Sequence, residues 1–168
     1  MAIPVVDLAE FTGSSRQKAA FVAQLGKAYE EVGFVAVKNH GISGSTIEEL
    51  YRNTRAFFQL PQAIKKQYEF PGLAGQRGYT SFGKEHAKGS NAPDLKEFFQ
   101  FGQTVEDGDS VRSEYPDNVI VRELPEFNPV FAKAYRAFEA SGALLLRAIA
   151  IYLGLPENYF DPYIHNGN

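Results

Sequence analysis

The feature that most constrains the fold is a long apolar period near the end of the chain. Between Glu126 and Leu153, Phe127, Phe131, Ala134, Phe138, Leu145, Ile149 and Tyr152 recur at helical spacing. Lys133, Arg136, Glu139 and Arg147 fall elsewhere on the same wheel. At 1.5 Å per residue such a helix is about 40 Å long. A rod of that length with one apolar face needs a broad surface to pack against. The rest of the chain should supply it.

It offers few strands. "IPVVDL" (Ile3 to Leu8) is a β-branched run with proline near its start, and Phe34 to Val37 is a second short run. Leu95 to Gly102, "LKEFFQFG", is a third. Between the first two, Ser14 or Ser15 caps a helix whose apolar face is Phe21, Leu25, Ala28 and Val32, and Gly33 stops it. Ser45 and Glu48 form a capping box for a second helix carrying Ile47, Leu50, Thr54 and Phe57. Pro61 ends that helix and opens a short successor with Ile64 and Tyr68. The class is α+β: helices with a few scattered strands, too few for a self-sufficient sheet.

Residues Pro71 to Pro93 hold five glycines and two prolines and read as one long loop, of the length that is usually functional. Two phosphate-binding patterns fail within it. "GYTSFGKE" ends on Glu85 where a magnesium-binding hydroxyl is required, and "GLAGQRG" lacks a preceding strand and a following helix. Arg77 and Tyr79 remain: a guanidinium makes bidentate bonds to a carboxylate and a phenol can complete its orientation. The competing reading is an exposed loop arginine and a tyrosine that packs on the domain.

With 168 residues, one domain over 1–168 with a single sizeable core is expected. The 14 Phe and 9 Tyr, with no Trp, imply a core built on phenyl rings. A net charge of -3 offers nothing to nucleic acid or an anionic membrane. The absence of cysteine excludes disulfides, thiolate metal sites and cysteine nucleophiles. No signal peptide or membrane-length apolar run is visible, which suggests a cytoplasmic setting. The three histidines, His40, His86 and His165, read "HGI", "HAK" and "HNG", so none starts an H-x-[DE] pair for non-haem iron. No metal ligand and no catalytic residue is expected within the chain. His40 reads as a turn residue, with Asn39 and Gly41 taking left-handed conformations at the strand exit.

In order, "IPVVDL", "GFVAVKNHGIS", "FFQLPQAIKKQY", "RGYTSFGKEHAKG…APDLKEFFQFG" and "LPENYFDPYI" resemble the N-terminal region of isopenicillin-N-synthase-like, iron(II)/2-oxoglutarate-dependent oxygenases. The resemblance covers Ile3 to Ile164. It implies the N-terminal part of a double-stranded β-helix (jelly-roll) enzyme whose core, with the H-x-D…H iron ligands and the R-x-S motif for 2-oxoglutarate, is missing here. Iron(II) and 2-oxoglutarate are implied for the full-length parent, though isopenicillin-type members do without the latter; neither is expected to bind this chain. The parent would oxidise a small molecule, and the piece alone would be inactive. Arg77 and Tyr79 would lie towards the active-site mouth as substrate-binding residues. Val35, Val37, Phe99, Phe101 and the last helix would leave apolar surface for the jelly-roll half or for self-association. The alternative is a free-standing, non-catalytic interaction or oligomerisation module derived from that family.

Overall fold

The computed structural model describes residues 2–86, 88–89, 92–105 and 107–164. His165 lies outside them. The chain divides into two compact units, Met1–Ser43 with Arg136–Gly167, and Gly44–Tyr135. Each has its own apolar cluster, where a single core was expected.

In the first unit, β1 (Val5–Asp7) leads into the one-turn helix α1 (Leu8–Phe11) and then α2 (Ser15–Glu31). Asp7 caps α1, its carboxylate accepting from Ala9 N at 3.1 Å. Ser14 caps α2, closing a capping box with Gln17. Gly33, at φ +78°, ends α2 in the conformation that glycine adopts without a Cβ clash. β2 (Ala36–Lys38) then pairs parallel with β1, Val6 opposite Val37. The long helix is α5 (Phe127–Tyr152); through Tyr135 it belongs to the second unit and from Arg136 to the first. Gly154, at φ +72°, follows its end. Val6, Leu8, Phe11, Phe21, Val22, Leu25 and Ala148 form the buried cluster, so α2 and the second half of α5 share an apolar seam. Where Gly26 faces Tyr152, an added Cβ would sit 2.2 Å from the ring, so the helices meet through a glycine notch. α6 (Asp161–Ile164) is tied to α5 by a two-bond contact from Arg147 to Asp161, at 2.7 and 3.1 Å.

The second unit begins with α3 (Gly44–Phe58). It starts two residues earlier than the Ser45–Glu48 box requires, so Ser45 lies inside the first turn and Ser43 flanks the helix. Pro61 precedes α4 (Gln62–Lys65), which runs into a tight turn over Lys66–Tyr68. The 71–93 stretch is not one open loop. Within it β3 (Gly78–Thr80) pairs antiparallel with β4 (Phe98–Gln100), and His86 bridges to Pro93 inside the connection. Burial of all three β3 residues, with Tyr79 packed among aromatic side chains, supplies what the glycine-rich local sequence lacks. Phe57 is the hub of the cluster, with Phe58, Tyr68, Tyr79, Phe99 and Phe127 around it at ring-centroid distances of 4.9–6.1 Å. These tilted and edge-on pairs bear out a core of phenyl rings.

Apolar exposure falls only in part where expected. Val35, Val37, Phe99 and Phe101 are half-buried. Phe138, on the expected face of α5, is exposed, and so are Ile3, Val5, Phe34, Leu95 and Ile120. Among the described residues no helix is long and apolar enough to cross a membrane.

Candidate functional site

The chemistry-bearing side chains of the second unit gather around the β3–β4 ladder. Gly78 opens β3 at φ +82°, and a Cβ there would lie 2.5 Å from Tyr68 O. Only glycine admits both that conformation and that approach. The ladder register places Tyr79 opposite Phe99, which brings Glu97, at the entrance to β4, within reach of β3 and α4.

Tyr79 is 2% exposed. Its hydroxyl donates to the Glu97 carboxylate and accepts from Gln62 Nε2 at 3.0 Å. Lys65, on α4, donates to both Glu97 oxygens at 2.8 and 2.7 Å and to Phe58 O at 3.3 Å. Its ammonium also stands 5.7 Å from the Tyr79 ring centroid. Burial, reinforced by the Glu97 contact, pushes the Tyr79 phenol up to about 12. Burial pushes Glu97 upward too, but the hydrogen bonds from Lys65 and Tyr79 outweigh it and hold this carboxyl below its ordinary range. Tyr79 therefore stays a neutral donor, and Lys65 and Glu97 form a neutralised pair.

Arg77, one residue before β3, differs. It is 5% exposed, so the exposed-loop reading does not hold. Nη1 donates to Gln76 O at 2.8 Å, while Nε and Nη2 are buried with no acceptor. The guanidinium lies against Gly102, whose N–H and C=O are both held by the Asn118 amide at 2.8 Å. Asn128 binds Val121 N and Val119 O in the same fashion, at 3.0 and 2.8 Å. A few residues away the Tyr68 hydroxyl donates to Glu123 and accepts from Arg122 N at 3.0 Å.

Of the expected site residues, Arg77 and Tyr79 are thus neighbours in different states: the phenol is engaged, and two buried nitrogens of the guanidinium have no hydrogen-bond partner among the described residues. Gln62, Lys65, Glu97, Gly102 and Asn118 were not singled out by sequence. Nothing in their local sequence sets them apart from surface residues, because their roles arise from contacts remote in the chain. His40 closes its turn, Nδ1 accepting from Ile42 N at 3.2 Å, with Asn39 and Gly41 at φ +53° and +78°. Among the described residues no three His, Asp or Glu side chains converge as a metal site would require. The described residues do not assemble an iron site.

The family model described as "non-haem dioxygenase in morphine synthesis N-terminal" matches residues 3–123. A proline hydroxylase, buaE, of Petromyces alliaceus is 34% identical over 96% of this chain and 51% of its own length. The 2-oxoglutarate-dependent dioxygenase htyE of Aspergillus rugulosus is 29% identical over 100% of this chain and 53% of its own. Among solved structures, a 2OG-Fe(II) oxygenase family protein from Caulobacter crescentus superimposes with a TM-score of 0.84 at 34% identity, covering 96% of this chain and 52% of that one. The chain spans about half the length of the curated relatives it matches. The chain belongs to the N-terminal family of the non-haem dioxygenases, and its relatives are 2-oxoglutarate/Fe(II) oxygenases of the isopenicillin-N-synthase-like group.

Proposed function

We propose that this chain is the N-terminal, substrate-facing part of an Fe(II)/2-oxoglutarate oxygenase that oxidises a small molecule in the cytoplasm. In this reading a jelly-roll half supplies the iron and 2-oxoglutarate ligands and is the partner of the apolar side chains exposed here. Iron(II) with 2-oxoglutarate provides the oxidising chemistry when bound. This chain contributes Arg77 and Tyr79 to the substrate side, and by itself has no activity.

The observation that carries the proposal is the combination of a match over residues 3–123 with a buried guanidinium two of whose nitrogens have no partner among the described residues. A buried cation without an acceptor is costly, and such arrangements concentrate at binding sites.

The test is succinate formation from 2-oxoglutarate with iron(II) and oxygen. The 168-residue chain alone should form none above the level of free iron. The polypeptide that joins it to a jelly-roll half should form it. Turnover by the 168-residue chain alone would overturn the division of labour.

A further inference from the structure

The stretch from Asn118 to Arg122 bonds as a strand with one edge taken and one edge open. Asn128 holds the first edge: its Nδ2 donates to Val119 O at 2.8 Å, and its Oδ1 accepts from Val121 N at 3.0 Å. One residue of a parallel neighbour strand pairs in this way with the two residues that flank its counterpart, here Ile120. In such a strand the peptide groups of alternate residues turn to opposite edges, so those of Ile120 face away from Asn128. Arg122 N marks that second edge, donating to the Tyr68 hydroxyl at 3.0 Å. Ile120 N–H and C=O have no hydrogen-bond partner among the described residues.

The open edge borders a groove of about 500 Å³, lined by Tyr68, Phe70, Leu73 and residues 117–120, 122 and 123. Phe70 and Ile120 are exposed there. An unpaired peptide N–H and C=O beside apolar side chains is a template for an added strand. The charges along the groove choose between occupants. Glu123 accepts from the buried Tyr68 hydroxyl and has no cationic partner among the described residues. At the other end Asp117 is bound by Arg112 at 2.6 Å. Arg122 also lines the neighbouring cavity beside Phe101 and Pro129, so its charge is not confined to the groove. A second copy added antiparallel about Ile120 would set each Glu123 end against the other's Asp117 end, like against like. A basic strand meets no such repulsion and brings a cation to Glu123.

We propose that the Ile120 edge is a docking site for an extended peptide segment of a partner, added as a strand. The segment places an apolar side chain over Ile120 and Phe70 and a basic one at Glu123. Ile120 supplies the backbone pair, and Glu123, held by Tyr68, supplies the charge preference. The site is independent of Arg77 and of the oxygenase reading.

The test measures fluorescence anisotropy of a dye-labelled, blocked peptide of alternating lysine and valine as the full 168-residue chain is added. Saturable binding is expected, with slowed hydrogen exchange at the Ile120 amide, assigned by NMR through its loss in Ile120→Pro. That substitution removes an N–H that the fold does not use, and proline suits the extended Val119 before it. Ile120→Pro and Glu123→Gln should each weaken binding about tenfold, with melting profiles that show folded chains. If Ile120→Pro does not fold, the peptide with methylated backbone nitrogens carries the same test and should bind about tenfold more weakly. No saturable binding overturns the site. Binding indifferent to Ile120→Pro, or to backbone methylation, overturns strand addition. Binding indifferent to Glu123→Gln, or equal for a glutamate–valine peptide, overturns the basic partner. A concentration-dependent dimer that Ile120→Pro abolishes makes a second copy the occupant and overturns the partner assignment.

Discussion

The Lys65 ammonium donates to both oxygens of the Glu97 carboxylate, joining α4 to the entrance of β4 across 32 residues of chain. Both side chains are largely buried, at 7% and 16% exposure. In such a place neither charge is tolerated without the other.

Removing one partner should therefore cost more than removing both. Lys65→Met or Glu97→Gln alone is expected to lower unfolding stability by about 3 kcal/mol, and the double substitution by clearly less than the sum. Urea titration of the four proteins measures this. Additive losses would mean that the pair is not coupled.

Acid should act through Glu97. Its carboxyl is held below the ordinary value, so its contribution is present above the unfolded-state pKa, near 4.3. It is lost as pH falls from there through the folded-state value. The wild-type chain should lose stability over that acid range more steeply than Glu97→Gln.

Alkali should act through Tyr79. Its phenol is raised to about 12, so the folded state keeps a proton that the unfolded state releases near 10. That contribution is complete below pH 10 and disappears as pH rises towards 12. Tyrosinate absorbance should show a late-titrating phenol in the folded chain that Tyr79→Phe removes.

Two glycines with nearly equal φ should respond unequally to alanine. Gly33, at +78°, has nothing within 4 Å of an added Cβ, and Gly33→Ala should cost about 1 kcal/mol from conformation alone. Gly78, at +82°, would also bring that Cβ to 2.5 Å from Tyr68 O, so Gly78→Ala should cost about 2 kcal/mol more. Equal melting temperatures for the two variants would contradict the close approach.

His40→Ala should remove the Ile42 hydrogen bond and lower stability by about 1 kcal/mol, read by urea titration. In the joined oxygenase it should leave iron retention unchanged. Iron lost at unaltered stability would show His40 to be a ligand and not a turn residue.

The helix ends were legible because their signals are local: Ser14 and Gln17 bracket the first turn of α2, Gly33 and Gly154 follow helix termini, and Pro61 precedes α4. The turn at Asn39–Gly41 was legible for the same reason. β3 was not. Three residues, one of them glycine, become a strand only through pairing with Phe98–Gln100 and burial of Tyr79, and both are remote contacts. Lys65 and Lys66 are indistinguishable in sequence, yet only the first meets Glu97. Likewise Arg77 and Tyr79 could be named from residue chemistry. Their opposite states, one phenol engaged and one guanidinium buried with two nitrogens unpartnered among the described residues, depend on Gln62, Glu97, Gly102 and Asn118 arriving from elsewhere.

The β3–β4 ladder and the Lys65–Glu97 pair tie down both ends of the connection between the strands. Leu95, near its β4 end, is 91% exposed and adds little to that tie. Doubling the length of a closed flexible segment costs only about 0.6 kcal/mol. Insertions and deletions there are therefore cheap, and relatives can differ in what this segment carries while keeping the ladder beneath it. The tied ends give the chain a place where sequence can diverge at small thermodynamic cost, in the segment that follows strand β3.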